Sequence, residues 1–173
     1  LPADWLRRES LAGRLTVSFA ALWPWSRWIA PEALAQRFDT RFFVAFMPAG
    51  QHCRPDPHET PTGCWMTPRE ALVANARGEL KLSPPTLVTL HDLLGYRTMN
   101  ALKAAIPRPG WGPGLMPKMV FPEVGPMVIQ PWDPVYATPE TSLPADITQM
   151  KTLPVGAPFS RLWNDAGTWR PVS

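Results

Sequence analysis

The chain has 173 residues, 45% hydrophobic and 18% charged, and its 17 basic and 14 acidic side chains give a formal net charge of +3. This is the composition of a globular domain with a core, not of a disordered segment. The charge is mild and nowhere concentrated, which excludes a basic nucleic-acid arm, and no apolar run reaches the roughly 18 residues of a membrane span.

Proline is the outlier at 23 residues, more than twice the usual share of about 5%. Proline brings no backbone donor and fixes its own φ, so long helices and central strands must avoid it. Short elements joined by ordered loops are expected, and nine tryptophans require those loops to pack. Cys53 and Cys64 do not make a disulfide scaffold, and the default compartment is a reducing, cytoplasmic one. The opening Leu1-Pro2-Ala3-Asp4-Trp5 has neither Met nor a signal-peptide layout and reads as the middle of something longer.

In chain order, residues 4 to 22 predict a helix with Leu11, Leu15, Phe19 and Leu22 on one face and a weak point at Gly13. Trp23 to Trp28 reads as an aromatic turn. Residues 37 to 47 carry the strongest strand pattern: Phe38, Thr40, Phe42, Val44 and Phe46 on one face, Asp39, Arg41, Phe43 and Ala45 on the other. A polar, proline-rich loop follows, and residues 59 to 66 predict a further strand around Cys64 and Trp65. Thr67-Pro68-Arg69-Glu70 is a helix start with a capping box, and Gly78 is its stop. Ser83-Pro84-Pro85-Thr86 opens another helix with Leu87, Leu90, Leu93 and Leu94 on one stripe. From Pro107 onward, two short hairpins are expected. One spans Lys118 to Gln130 around Glu123-Val124-Gly125, and the other spans Ser160 to Pro171 around Asn164-Asp165-Ala166-Gly167. Residues 1–106 are read as one domain and residues 107–173 as an extension packed on it.

Three pieces occur in order between Arg37 and Leu94: the strand Arg37-Phe38-Asp39-Thr40-Arg41-Phe42-Phe43-Val44-Ala45, then Trp65-Met66-Thr67-Pro68-Arg69-Glu70-Ala71-Leu72, then Gly78-Glu79-Leu80 with Leu82-Ser83-Pro84-Pro85-Thr86 and Thr89-Leu90. This order resembles the C-terminal part of Nudix hydrolases, in the branch of CoA and acyl-CoA diphosphatases. The segment Trp25 to Pro31 and the Pro-Trp-Asp-Pro at 131–134 fit the same branch more loosely. The resemblance implies an α/β (α+β) fold, a mixed sheet between helices, and cleavage of a small-molecule nucleoside diphosphate derivative, with CoA or acyl-CoA as the candidate substrate. It also implies Mg²⁺ or Mn²⁺ as cofactor, because the family holds a cation with glutamates on one helix and the cation neutralises phosphate oxygens and activates water.

The sequence departs from the family at that helix. Arg8-Glu9 and Arg69-Glu70 are not followed by Glu-Glu, and of the 14 acidic residues only Asp56 and Glu59 lie within four positions of each other. No metal ligands are therefore expected from this chain; the catalytic helix either lies N-terminal to Leu1, which is the favoured expectation, or has been lost.

The candidate site residues each carry two readings. Glu59 is the catalytic candidate, since some Nudix enzymes use an acidic residue in this region; the alternative is a solvated loop carboxylate. Arg37, Asp39 and Arg41 suit a diphosphate or an adenine-bearing substrate, and the alternative is an internal Asp39–Arg41 ion pair. Thr86 belongs to a helix start that suits an anion, and the alternative is capping. Trp23, Trp25 and Trp28 suit stacking on a base or acyl chain, or plain packing. His52, Cys53, His58 and Cys64 lack zinc-site spacing. Two functions stay open: part of a metal-dependent Nudix-type hydrolase, or a non-catalytic Nudix-like module that binds a ligand or a protein. Neither nucleic acid nor membrane is an expected partner, and a homodimer is compatible with either function.

Overall fold

A computed structural model describes residues 4–13, 19–53, 62–106, 110–139 and 149–173. Among the described residues four α-helices and six strands form an α+β fold, as the sequence implied. Both sheets are antiparallel, and parallel pairing is confined to the isolated bridge Trp28↔Leu115.

Helix α1 (Trp5–Leu11) is only seven residues long and is followed by Gly13 at φ +68°. The continuous helix expected to residue 22 is thus broken where the sequence was weakest: residues 19–21 form a 3-10 turn, and residues 14–18 lie outside the described residues. Leu11 is 78% exposed and Leu22 38%, so these two do not form a buried stripe.

The expected aromatic turn is instead strand β1 (Trp23–Ile29), which pairs antiparallel with β2 (Asp39–Val44). Pro24 cannot donate to the ladder, and the register slips between Pro24 and Ser26, leaving Trp25 as the bulged residue. Trp25 packs edge-on against Tyr96, and buried Trp28 donates its indole N–H to Ser26 Oγ, two residues back on the same strand face. Both rings therefore pack. On its other side β1 meets Leu115: the Ile29 N–H donates to Leu115 O and the Leu115 N–H to Arg27 O, each at 2.8 Å. Gly114 permits this approach, since a Cβ there would stand 2.7 Å from Ile29 Cδ1. In β2 the alternation is as expected, with Phe42 and Val44 half-buried and Arg41 and Phe43 exposed.

Residues 62–66 form no strand, correcting the strand expected over 59–66 in its described part, and Trp65 is 76% exposed. Among the described residues no strand pairs with them, so their backbone has no ladder to join there. Helix α2 (Pro68–Ala76) begins as the sequence dictates. Thr67 Oγ1 accepts from the Glu70 N–H while Glu70 accepts from the Thr67 N–H at 2.7 Å, and Gly78 follows at φ +77°. Helix α3 (Pro84–Leu93) carries the leucine stripe, with Leu87 1% exposed, and α4 (Met99–Ala105), which the sequence reading did not foresee, is capped by Thr98.

The two expected hairpins join into one four-stranded sheet, ordered β3 (Lys118–Val120), β4 (Met127–Ile129), β5 (Arg161–Asp165) and β6 (Thr168–Val172). Its central strand β4 is buried on both faces. Val128 packs with Leu162, Leu72 of α2 and Leu87 of α3, while Met127 and Ile129 pack with Val120, Val135, Tyr136 and Met150. The strand accordingly reads Met-Val-Ile without a polar alternate. Residues on both sides of position 106 thus share one core. Between the hairpins, Asp133 ties the Pro131–Pro134 segment to β5. Its carboxylate, wholly shielded from solvent, accepts from Arg161 Nε, Ser160 Oγ and the Val135 N–H.

Candidate ligand-binding groove

Two of the sequence pieces singled out above meet at one place. A groove of about 360 Å³ opens where the β1–β2 ribbon faces the start of α3 and the four-stranded sheet. Phe38 and Thr40 form one wall, Ser83-Pro84-Pro85 a second, and Trp28, Met119, Val128 and Trp169 lie deeper. The geometry follows from strand periodicity: Phe38 and Thr40 share one face of β2 and its lead-in, and that face turns to the groove. Nearly all of the lining is apolar carbon. The Ser83 hydroxyl is spent on Thr86 Oγ1 at 2.8 Å, and Pro84 and Pro85 contribute no N–H.

The candidate site residues separate. Arg37 does not line the groove; it is exposed, its Nε donates to Ala30 O of the groove wall at 3.1 Å, and its Nη2 lies 3.2 Å from Met116 Sδ, which lines the neighbouring cavity. Thr86 does not line the groove. Ser83 is the N-cap of α3, but it makes no side-chain cap bond and holds Thr86 instead. Asp39 and Arg41 do not line the groove. Asp39 is gripped by both fork nitrogens of Arg27, at 2.8 and 2.7 Å, with Arg41 farther off at 3.9 Å, so the internal ion-pair reading describes it and its main partner is Arg27. The Arg27 hydrogen bonds hold the Asp39 carboxyl below its ordinary range, and the Arg27 guanidinium is raised in turn. Arg41 lies over the Trp111 ring, 5.5 Å from its centroid. Glu59 lies outside the described residues.

Arg27, Met119, Val128 and Trp169 were not singled out from the sequence. Arg27 was findable once β1 is recognised as a strand: it registers opposite Arg41 and Asp39 opposite Ile29, making Arg27 and Asp39 a diagonal cross-strand pair. The other three come from hairpins whose docking onto residues 28–40 no local pattern reveals.

Among the described residues no three His, Cys, Asp or Glu side chains cluster as metal ligands; Cys53 and Cys64 are free and exposed. A second cavity, of about 150 Å³, lies between α2, α3 and residues 152–157, where His91 Nε2 meets Ala157 O at 3.1 Å. Among the described residues no helix is long and apolar enough to cross a membrane.

Fold and groove together give an α+β chain with an apolar groove beside the arginine-bearing β1–β2 ribbon. Over 86 residues the chain is 31% identical to acyl-coenzyme A diphosphatase NUDT19 of Xenopus laevis, a match covering 47% of this chain and 23% of that protein. This similarity supports a Nudix-like relation. The chain thus spans less than a quarter of the length of the curated relative it matches. No family model and no solved structure matches the chain.

Proposed function

We propose that this chain is the substrate-holding part of a Nudix-type hydrolase that cleaves a nucleoside-diphosphate-linked substrate, with an acyl-coenzyme A as the candidate. The observation that carries the reading is the 31% identity over 86 residues to an acyl-coenzyme A diphosphatase. The apolar groove supports it, because such a substrate has a long uncharged arm as well as its diphosphate. Diphosphate cleavage by Mg²⁺ or Mn²⁺ requires several carboxylates on the cation. In this proposal those carboxylates lie N-terminal to the residues described here, and Glu59 is the candidate acid–base residue of this chain. The chain's own residues bind and orient: the groove excludes water around the uncharged arm, and Arg37 holds negative charge beside it.

The test is incubation of the full-length protein with octanoyl-coenzyme A and Mg²⁺ or Mn²⁺, with products resolved by mass spectrometry. Metal-dependent scission of the diphosphate is expected, abolished by a chelator. Binding of the substrate without scission would replace the reading with the non-catalytic module.

A further inference from the structure

We propose that a second site, built from the start of α2, the end of α3 and the start of α4, binds an organic phosphate, with Arg69 and Arg97 holding the phosphate group. The site is a cavity of about 380 Å³. It shares no lining residue with the apolar groove, so it goes beyond the hydrolase reading and does not rest on it.

Local structure brings the two arginines to one cavity. The capping box at Thr67 fixes where α2 begins, and Arg69 is its second residue. Helix α3 ends at Leu93, and Thr98 caps α4 by accepting from the Ala101 N–H at 3.1 Å, which leaves Arg97 in the short link between them. Both arginines line the cavity. A Cβ built on Gly156 would stand 3.6 Å from Leu94 Cδ1 and 3.8 Å from Arg69 Nη2, so the Arg69 head lies beside a leucine of the cavity wall.

Charge selects an anion. The arginines that hold strands in place are paired: Arg27 with Asp39, Arg161 with Asp133, Arg170 with Asp165. Among the described residues neither Arg69 nor Arg97 makes a salt bridge, and no Asp or Glu lines their cavity. Glu70, next to Arg69, keeps its carboxylate on the Thr67 N–H and hydroxyl, at 2.7 and 2.8 Å. Two guanidiniums therefore outweigh one nearby carboxylate. A cleft lined by one sign of charge concentrates the opposite one, and guanidinium forks match the oxygens of a phosphate, whose charge at pH 7 is close to that of a dianion. Carbon selects an organic ester over the bare ion. Pro68, Leu93, Leu94, Met99 and Leu102 supply much of the wall, and Met99 is 59% exposed, forming an open lip. An inorganic phosphate gains nothing from that carbon, whereas an ester buries its apolar group there.

The test is isothermal titration of the 173-residue chain with phenyl phosphate, inorganic phosphate and phenol. Phenyl phosphate is expected to bind saturably and about tenfold more tightly than either of the others, since it alone makes both the charge-assisted and the apolar contacts. R69Q and R97Q are each expected to weaken both phosphates about tenfold and to leave phenol unchanged. M99A is expected to do the reverse, weakening phenol and phenyl phosphate but not inorganic phosphate. R77Q removes an exposed arginine at the C-cap of α2 that does not line the cavity, and it is expected to change nothing. Circular dichroism confirms that each variant is folded. The proposal is overturned if phenyl phosphate gives no saturable signal, or if folded R69Q and R97Q bind it like the parent. It is overturned equally if inorganic phosphate binds as tightly, which would make this a site for the free ion. An R77Q effect as large as that of R69Q would also overturn it, since the attraction would then belong to the basic surface at large.

Discussion

Replacing Asp133 by Asn tests how the segment between the hairpins is held. The Asp133 side chain has no solvent exposure and accepts from Ser160 Oγ at 2.6 Å, Arg161 Nε at 2.8 Å, Arg161 Nη2 at 3.3 Å and the Val135 N–H at 2.9 Å. Asn keeps the shape but turns one acceptor oxygen into an NH₂ group, which then faces donors. Removing one partner of a buried pair typically costs about 3–5 kcal/mol. The Arg161 side chain is 19% exposed, so water recovers part of that cost and a loss of about 2–3 kcal/mol is expected. For a chain of this size the loss corresponds to a fall in Tm of about 5–10 °C. Urea unfolding followed by tryptophan fluorescence measures it. The pH dependence supplies a second check. Burial pushes the Asp133 carboxyl up, but the hydrogen bonds from Arg161, Ser160 and Val135 outweigh it and hold it below the usual carboxylate range. A carboxyl depressed in the folded state stabilises above its unfolded pKa of about 3.9, and that stability is lost as pH falls through the lower folded value. D133N should be flatter than the parent across that acid window. A loss below about 0.5 kcal/mol, the range of an ordinary surface substitution, or an unchanged acid limb, would refute the reasoning.

Two further variants probe local structure. T67A removes the side-chain oxygen that caps α2 and is expected to destabilise by about 1 kcal/mol in urea unfolding. The Glu70 carboxyl is lowered first by the Thr67 N–H and then by the Thr67 hydroxyl. Its contribution is therefore present above the ordinary glutamate pKa and fades as pH falls through the lowered value, which acid titration of parent and variant would show. Ala166 sits at φ +48° in the β5–β6 turn, before Gly167 at φ +88°, so A166G relieves a left-handed alanine and is expected to raise stability by about 0.5–1 kcal/mol in thermal unfolding.

Some of this protein was settled by its sequence alone because the physics involved is local. The capping box of Thr67 and Glu70 and the stop at Gly78 depend on groups a few residues apart, and each forms where the residue types require it, while the two-residue turn at Ala166-Gly167 sits at the position the sequence marked. The alternation of Phe42, Phe43 and Val44 likewise specified which side of β2 faces inward. The tertiary structure decided what those faces meet. Trp23–Ile29 became a strand because β2 and Leu115 stood ready on its two sides, overriding a composition that reads as a turn. Residues 62–66 found no such neighbour and stayed outside any sheet. Asp39 was claimed by Arg27 across the ribbon ahead of Arg41 on its own strand, because a diagonal cross-strand reach gave the shorter approach. The groove exists only because two distant hairpins merge into one sheet and bring Met119, Val128 and Trp169 under Trp28 and Phe38. Pairings between residues a hundred positions apart leave no periodic trace in the chain, since they are selected by burial of the whole core rather than by any local preference.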